Sequence, residues 1–255
     1  MTGPDVVKLG GRAQSDPSLI SAIARRWRRA PGTLCIVHGG GDEVSALQRL
    51  MGHEPRFNGG RRVTAPGDLE LLRMALSGSA NKRLVSALVA AGIAAVGVSG
   101  EDAGCIRASL AADSDLGRVG TQCTVDARLL LLLLEAGYLP VVSPLAADAA
   151  GGSEPLNVNG DDAASAIAAA LGSAELLFVS DVAAVRDGNA PLTVIDAAGA
   201  ARLAASGAVE GGMLAKLDAA CAAVRAGVRR VTIGSLSLLD DSTQGTQVVP
   251  SRSAA

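Results

Sequence analysis

The chain is poor in aromatic residues and carries almost no net charge. Only 2% of its 255 residues are aromatic, so it lacks the stacking surfaces on which proteins bind single-stranded nucleic acid. Its 23 basic and 25 acidic residues give a formal net charge of −2, which excludes a global field that attracts DNA, RNA or an anionic membrane. Any anion that this protein binds must therefore be held by local groups.

Cysteine and histidine are also scarce. The four cysteines lie far apart without a C-x-x-C pair, and only His38 and His53 could join them, so the sequence does not predict a zinc site. The apolar stretches 129–134 and 163–171 are much shorter than the roughly 20 residues of a membrane-spanning helix. Because the N-terminus has no secretion signal, we expect a soluble cytoplasmic protein with free thiols.

Strands and helices alternate along a chain that is 49% hydrophobic. Apolar runs predict core strands at 6–9, 33–37, 94–98, 138–143, 175–179 and 230–233, short antiparallel strands within 105–125, and a hairpin or loop at 57–64. Helical spacing predicts helices at 20–27, 44–51, 66–88 (broken near 77–79), 126–136, 194–206 and 213–226, an alanine-rich helix ending at 171, and a frayed terminus at 250–255. This order predicts a three-layer αβα sandwich with a mostly parallel open sheet, in one domain or two lobes.

Glycine turns follow the first two strands, at 10–11 and 39–41. Glycine lets backbone N–H groups approach a phosphoryl group, and ligands of parallel sheets gather where the strands end. Ordinary strand-to-helix turns use glycine as well, so neither turn alone indicates a function. The sequence has no G-x-x-x-x-G-K-[ST] and no G-x-G-x-x-G, which disfavours a P-loop enzyme and an ordinary dinucleotide-binding fold.

The segment H-G-G-G (38–41) also matches the oxyanion loop of some lipases and esterases. A hydrolase is excluded because there is no G-x-S-x-G, and neither histidine follows a nucleophile in the required order. We expect His38 to be a structural residue at a strand end and His53 to lie on the surface.

Three charged residues stand out by position: Lys8 before the first glycine turn, Asp161 at the start of the alanine-rich helix, and Lys216 beyond two glycines. Lysine at the end of a strand directs positive charge into the ligand crevice, where phosphoryl transfer needs charge to be neutralised. A carboxylate between two lysines would hold them apart and in place. A single lysine is more commonly a solvated surface residue, so only the combination indicates phosphoryl transfer.

Eight segments, in order and over nearly the whole chain, resemble the acetylglutamate kinases of the amino acid kinase family. They are V-V-K-L-G-G (6–11), V-H-G-G-G (37–41), N-G-G-R-R-V-T (58–64), A-N-K-R-L (80–84), G-Y-L-P-V-V (137–142), N-V-N-G-D-D-A-A (157–164), V-S-D-V (179–182) and G-G-M-L-A-K (211–216). The two glycine motifs alone indicate only the wider family, which also contains aspartate, glutamate, carbamate and uridylate kinases. N-V-N-x-D and R-V-T narrow the resemblance to acetylglutamate kinase.

The resemblance implies an enzyme of arginine biosynthesis that phosphorylates the side-chain carboxylate of N-acetyl-L-glutamate. The transfer from ATP would be in line and without a covalent intermediate, with Mg²⁺ carried on the nucleotide. An N-terminal lobe, residues 1–170, would bind the acylated amino acid and form a homodimer. A C-terminal lobe, residues 171–255, would bind ATP.

The resemblance also implies a role for each matching residue. Lys8 and Lys216 would stabilise the transferring phosphoryl group, and Asp161 would orient both. Gly11, Gly40 and Gly41 would donate backbone N–H groups to that phosphoryl group, and Gly40 and Gly41 would also contact the substrate. Arg62 would clamp the substrate α-carboxylate, and Asn157 would bind the N-acetylated end. The nucleotide site would be lined by Ser180, Asp181, Val182, Ala208, Val209 and Glu210.

Two segments depart from the family pattern. The usual N-G-L-R-V-T is here N-G-G-R-R-V-T, one residue longer, so that either Arg61 or Arg62 could be the clamp. We favour Arg62 because it directly precedes Val63. Gly160 replaces the usual alanine, which could loosen the start of the helix beside Asp161.

Two other functions stay open: a kinase of a related acylated amino acid, such as carrier-linked aminoadipate or glutamate, and a non-catalytic amino-acid sensor of the same fold. The intact lysines and Asp161 argue against the sensor. Six successive leucines at 129–134 predict either a helix buried on all sides or a subunit interface. Because only residues 1–5 precede the first strand, the resemblance also implies that the arginine-binding N-terminal helix of inhibited relatives is absent, and hence an arginine-insensitive enzyme no larger than a dimer.

Overall fold

The computed structural model describes residues 3–251, so most of the terminus predicted to fray, from 252 onward, lies outside the described residues. The strands are β1 (Asp5–Leu9), β2 (Leu34–His38), β3 (Phe57–Asn58), β4 (Arg61–Arg62), β5 (Ala95–Gly100), β6 (Ile106–Leu110), β7 (Val119–Val125), β8 (Leu139–Asp148), β9 (Leu156–Val158), β10 (Glu175–Val179), β11 (Arg186–Asp187), β12 (Ala190–Pro191), β13 (Val194–Asp196), β14 (Arg230–Gly234) and β15 (Thr246–Val249). The helices are α1 (Leu19–Arg29), α2 (Gly41–Leu50), α3 (Leu69–Leu72), α4 (Asn81–Ala90), α5 (Arg128–Glu135), α6 (Gly160–Ala170), α7 (Ala197–Ala205) and α8 (Gly211–Arg225), and a π-helical segment (Arg73–Ala80) joins α3 to α4.

Eleven strands form one open sheet in the order β13-β15-β14-β10-β1-β2-β8-β6-β7-β9, with β5 also paired to β8. The central strands β14, β10, β1, β2 and β8 pair in parallel with one another, and β5 pairs in parallel with β8. The antiparallel pairs within this sheet are β6–β7, β8–β9 and β14–β15. The predicted mostly parallel sheet is therefore confirmed.

Alternate residues of the central strands face two different hydrophobic cores. Val6 and Phe178 pack in a core with residues of α6, α7 and α8, whereas Val7 and Ile36 pack in a second core with residues of α1 and α4. Since successive side chains of a strand point to opposite faces, helices cover both faces of the sheet. The three-layer αβα sandwich is confirmed. None of the helices within residues 3–251 combines the length and apolarity needed to cross a membrane.

The structure corrects two of the predicted helices. The helix predicted to start at 194 begins at Ala197, because Val194–Asp196 pairs with the short strand β15, which the sequence analysis missed. The break predicted near 77–79 is also wrong, since the chain continues there as a π-helix and Ser77 Oγ lies 2.8 Å from Ser143 Oγ of β8. Both outcomes depend on contacts with distant parts of the chain. The division into two lobes stays a prediction.

Candidate active site

The glycine turns after β1 and β2 lie side by side. Gly10 N–H donates to Val179 O at 2.8 Å, and Gly39 N–H donates to Leu9 O at 3.0 Å, so the ends of β10, β1 and β2 meet at one edge of the sheet. Gly40 caps the start of α2, and a Cβ there would lie 2.8 Å from Leu76 Cδ2. A larger residue at position 40 would have to displace the end of the Leu76 side chain, and the first N–H groups of α2 have no partner within that helix.

Lys8, Asp161 and Lys216 form a buried cluster beside these turns. Lys8 Nζ lies 2.8 Å from Asp161 Oδ1, and Lys216 Nζ lies 3.1 Å from the same oxygen and 3.3 Å from Oδ2. All three residues are less than 9% exposed. The Asn159 side chain accepts the Asp161 N–H at 2.8 Å and caps α6, which fixes the carboxylate in the first turn. The structure thus brings together the three residues that the sequence analysis singled out.

The electrostatics of this cluster favour a bound anion. Burial alone would raise the pKa of Asp161, but Lys8 and Lys216 outweigh it, so the pKa lies below its ordinary value of 3.8. Burial and the charge of Lys8 lower the pKa of Lys216 below 10.5, although Asp161 opposes this. With one carboxylate between two lysines, the cluster as a charged unit is positive. It adjoins the second glycine turn, since a Cβ on Gly39 would lie 3.9 Å from Lys8 Nζ.

The β3–β4 hairpin places Arg62 against α2. Gly59 and Gly60 both adopt left-handed backbone angles, with φ of 55° and 78°, and form the turn. Arg62 is 9% exposed and donates to Gln48 Oε1 at 2.5 Å, Gly41 O at 2.7 Å and Ser45 Oγ at 2.8 Å. Within residues 3–251, these bonds use both hydrogens of Nη2 and one of Nη1, which leaves Nε–H and the other Nη1–H as donors.

A cavity of about 150 Å³ lies between the hairpin, the second glycine turn and the start of α6. Its lining residues are Gly39, Gly40, Gly41, Val44, Phe57, Gly60, Arg61, Arg62, Leu72, Leu76, Val119, Pro144, Asn157, Val158, Asn159 and Gly160. The Asn157 amide donates to Thr64 Oγ1 at 2.8 Å, which orients that side chain. The cavity combines apolar walls with two guanidinium groups and two amides, as small-ligand sites commonly combine apolar and polar groups.

Arg61 lines the same cavity but has a different partner. Its Nη1 lies 2.7 Å from Asp162 Oδ2 in an ion pair. Burial raises the pKa of Asp162 even though Arg61 opposes it. Arg61 is thus engaged by Asp162, whereas Arg62 is held by α2, and the choice of Arg62 as the carboxylate clamp stays a prediction.

The predicted nucleotide residues are only partly together. Ser180 and Asp181 line a cavity of about 450 Å³ with Arg12, whose Nη1 donates to Asp181 Oδ2 at 3.0 Å and lowers the pKa of Asp181. Val182 follows and is half-buried. The exposed residues Ala208 and Glu210 do not line that cavity, and Val209 belongs to the core at 6% exposure. The nucleotide contacts of these six residues stay a prediction.

The sequence analysis missed the residues that hold the site in shape. Ser45 and Gln48 lie on the same face of α2 as Gly41, and all three accept hydrogen bonds from Arg62. Their spacing along the helix is the sequence feature that could have predicted a shared binding partner. His38 is fully buried, with Nδ1 2.9 Å from Gly39 O and Nε2 3.1 Å from Asn81 Nδ2. Burial lowers the pKa of His38 to about 4, so it is neutral and structural, as predicted.

The donor set suits phosphate oxygens better than a protein-bound metal ion. Within the described part of the chain, no three His, Cys, Asp or Glu side chains cluster so that they could hold a metal. Both oxygens of Asp161 lie within 3.3 Å of lysine nitrogens. A divalent cation at this edge of the sheet would therefore be coordinated by the phosphates of a bound nucleotide rather than by these side chains.

Comparison with known proteins agrees with this geometry. The amino acid kinase family matches residues 5–235. The acetylglutamate kinase of Chloroflexus aurantiacus is 40% identical over 243 residues, covering 94% of this chain and 95% of the relative. The acetylglutamate kinase of a Roseiflexus species is 40% identical over 249 residues, covering 97% and 94%.

Solved structures give the same fold. The crystal structure of smu.665 from Streptococcus mutans superposes with a TM-score of 0.86 at 29% identity, covering 98% of this chain and 99% of that one. Carbamate kinase from Giardia lamblia bound to AMP-PNP has a TM-score of 0.71 at 17% identity, covering 98% and 99%, and shows the fold alone. The matching sequence family, the curated relatives and the shared fold together show that this chain belongs to the acetylglutamate kinases of the amino acid kinase family.

Proposed function

We propose that this chain transfers the γ-phosphoryl group of ATP to the side-chain carboxylate of N-acetyl-L-glutamate. The observation that carries the proposal is the buried Lys8–Asp161–Lys216 cluster, which lies beside two glycine turns and a cavity containing Arg62. The curated relatives, which are named acetylglutamate kinases, support the choice of substrate.

The reaction needs charge neutralisation and alignment rather than a base. A carboxylate oxygen of the substrate attacks the γ-phosphorus while the bond from that phosphorus to the leaving ADP oxygen breaks, which gives an acyl phosphate and ADP. A glutamate side chain with an ordinary pKa of about 4.3 is already deprotonated at neutral pH. No proton has to be removed from the nucleophile, and neutral, fully hydrogen-bonded His38 is not required as a base.

Lys8 and Lys216 would act on the moving phosphoryl group. Their ammonium groups share the Asp161 carboxylate, so each is held in place before the substrates arrive, and transition-state stabilisation needs little rearrangement. The backbone N–H groups of Gly11, Gly40 and Gly41 would add donors to the equatorial oxygens. Mg²⁺ carried on the nucleotide would neutralise further phosphate charge.

Binding of the two substrates would be divided between the ends of the strands. Arg62 would clamp the α-carboxylate with its remaining N–H groups, and Asn157 would bind the N-acetyl end. ATP would lie over Ser180, Asp181 and Val182, with the backbone of 208–210 along its edge. In this scheme residues 1–170 form the acyl-amino-acid lobe and residues 171–255 the ATP lobe.

We further propose a cytoplasmic homodimer that serves arginine biosynthesis. Leu130 and Leu134 of α5 are buried, but Leu131 and Leu132 are 37% and 63% exposed, so one face of this helix is left for a second copy of the chain. The N-terminal lobes would form the interface. Light scattering that gives a monomer at every concentration would refute the dimer.

A coupled ADP-release assay tests the activity. Acetylglutamate, acetylaspartate, glutamate and aspartate are compared with ATP and Mg²⁺, and hydroxylamine traps any acyl phosphate as a hydroxamate. We expect turnover and hydroxamate with acetylglutamate, and much less with the other three acids. Carrier-linked aminoadipate and glutamate are assayed in parallel, and turnover with these alone would point to the related kinase. Binding of acetylglutamate in calorimetry without turnover in the assay would point to a sensor.

A further inference from the structure

Two consecutive arginines leave the β3–β4 hairpin in opposite directions. Successive side chains of a strand point to opposite faces, and Arg62 faces α2 whereas Arg61 faces the start of α6. The Arg61 and Asp162 side chains are 28% and 24% exposed, so their 2.7 Å ion pair is largely shielded from water. Asp162 directly follows Asp161, the carboxylate between the two lysines.

The tip of the same hairpin meets the start of α8. Gly60 packs so closely that a Cβ on it would lie 2.8 Å from Gly211 O, and Gly211 begins the helix that carries Lys216. The hairpin therefore touches both helices of the phosphoryl-transfer centre, α6 through Arg61 and α8 through Gly60. Its other arginine lines the substrate cavity.

We propose that Arg61 is a positioning residue that couples substrate binding to the phosphoryl-transfer centre through its ion pair with Asp162. The pair holds the hairpin against the first turn of α6, so that the distance between the Arg62 guanidinium and the Asp161 carboxylate stays fixed. Losing it frees the hairpin and leaves Asp162 as an uncompensated carboxylate next to Asp161. This inference rests on the proposed function.

A double-mutant cycle tests the coupling. Arg61→Gln, Asp162→Asn and the double variant are compared with the wild type for kcat, for the KM of acetylglutamate and for the KM of ATP. Each single variant should raise the KM of acetylglutamate about fivefold, the equivalent of about 1 kcal/mol for one partly shielded ion pair, and lower kcat. The KM of ATP should stay within about twofold, and the double variant should be no worse than either single one.

Two further variants serve as controls. Arg61→Lys keeps a positive charge for Asp162 and should recover most of the loss, which a merely steric role for the arginine side chain would not predict. Arg25→Gln removes an arginine of α1 that pairs with Asp240 at 2.7 Å and has no binding or catalytic role in the proposed function, and it should leave all three constants unchanged.

Hydrogen exchange gives a readout that does not depend on turnover. In the absence of substrates, the amides of 59–62 should exchange faster in Arg61→Gln than in the wild type or in Arg25→Gln. Unchanged exchange together with an unchanged KM for acetylglutamate, or fully additive losses in the cycle, would overturn the proposal. If the wild type fails to phosphorylate acetylglutamate, the proposed function fails, while hydrogen exchange still decides whether Arg61 holds the hairpin.

Discussion

Asp161→Asn should be the most informative single change in the site. The substitution keeps the shape of the side chain but removes the charge that two buried lysines share. Lys8 Nζ and Lys216 Nζ lie 2.8 and 3.1 Å from the same oxygen of Asp161. Two unit charges at that separation, at most about 6 Å, repel by about 3 kcal/mol at an effective dielectric constant of about 20.

The expected loss of folding stability follows from this repulsion. Removing one partner of a buried ionic group typically costs about 3–5 kcal/mol, because the remaining charge is buried without compensation. We therefore expect the free energy of unfolding of Asp161→Asn to fall by about 3 kcal/mol at neutral pH. Turnover should fall by orders of magnitude, since the ammonium groups move apart.

The pH dependence separates this electrostatic effect from a packing effect. The pKa of Asp161 lies below 3.8 in the folded state, so its stabilisation is present above 3.8 and is lost as the pH falls through the folded-state value. In the variant, the folded-state pKa of Lys216 should fall further below 10.5. The loss of folding stability that comes from burying this charged lysine then disappears as the pH rises toward 10.5. The difference in the free energy of unfolding between variant and wild type should be largest near neutral pH, and smaller at acidic and at alkaline pH.

Urea unfolding followed by circular dichroism measures the difference at about pH 3, 7 and 9.5. Asp240→Asn is the matched control, because Asp240 also lies between two cations, Arg25 at 2.7 Å and Arg29 at 3.5 Å, but is 44% exposed. That control should change stability by less than about 1 kcal/mol. An Asp161→Asn protein as stable as the control variant at pH 7, or equally destabilised at every pH, would refute the reasoning.

Three further predictions concern neighbouring residues. Lys8→Ala and Lys216→Ala should each lower kcat by orders of magnitude in a folded protein, because these charges act mainly in the transition state, and a variant with near-normal turnover would remove that lysine from the mechanism. Arg62→Lys should raise the KM of acetylglutamate far more than that of ATP, since one ammonium cannot replace a planar fork that already serves Gln48 and Ser45. Gly160→Ala should raise the free energy of unfolding by about 0.5 kcal/mol, because alanine restricts the unfolded chain. The added Cβ would lie 3.4 Å from Lys8 Cε, which is an ordinary contact. Urea unfolding measures the change, and a loss of stability would contradict the prediction.

The sequence was sufficient to predict the sheet and the turns at its edge. Lys8 could be singled out because a short buried strand and its glycine turn are local features, and Asp161 because a carboxylate suits the start of a helix. The meeting of Lys216 with Asp161 could not be worked out locally, since the two residues are 55 positions apart and meet only where α8 packs against α6. There the family resemblance supplied what periodicity could not.

The missed elements have a common physical cause. Strands β9 and β15 have only three and four residues, and each pairs with a strand far back along the chain, β9 with β7 and β15 with β13. Their sequences carry too short a pattern to predict a strand.

The arrangement of the two adjacent carboxylates explains why the hairpin and the phosphoryl-transfer centre can act together. Asp161 lies in the first turn of α6, held by the Asn159 cap, and Asp162 shares that turn. A displacement of the hairpin that moves Arg61 therefore acts on the same helical turn that holds both lysines in place. Because the first turn of α6 is one hydrogen-bonded unit, the ion pair of Arg61 and the two lysine contacts of Asp161 are positioned by the same element, while Arg62 is held by α2.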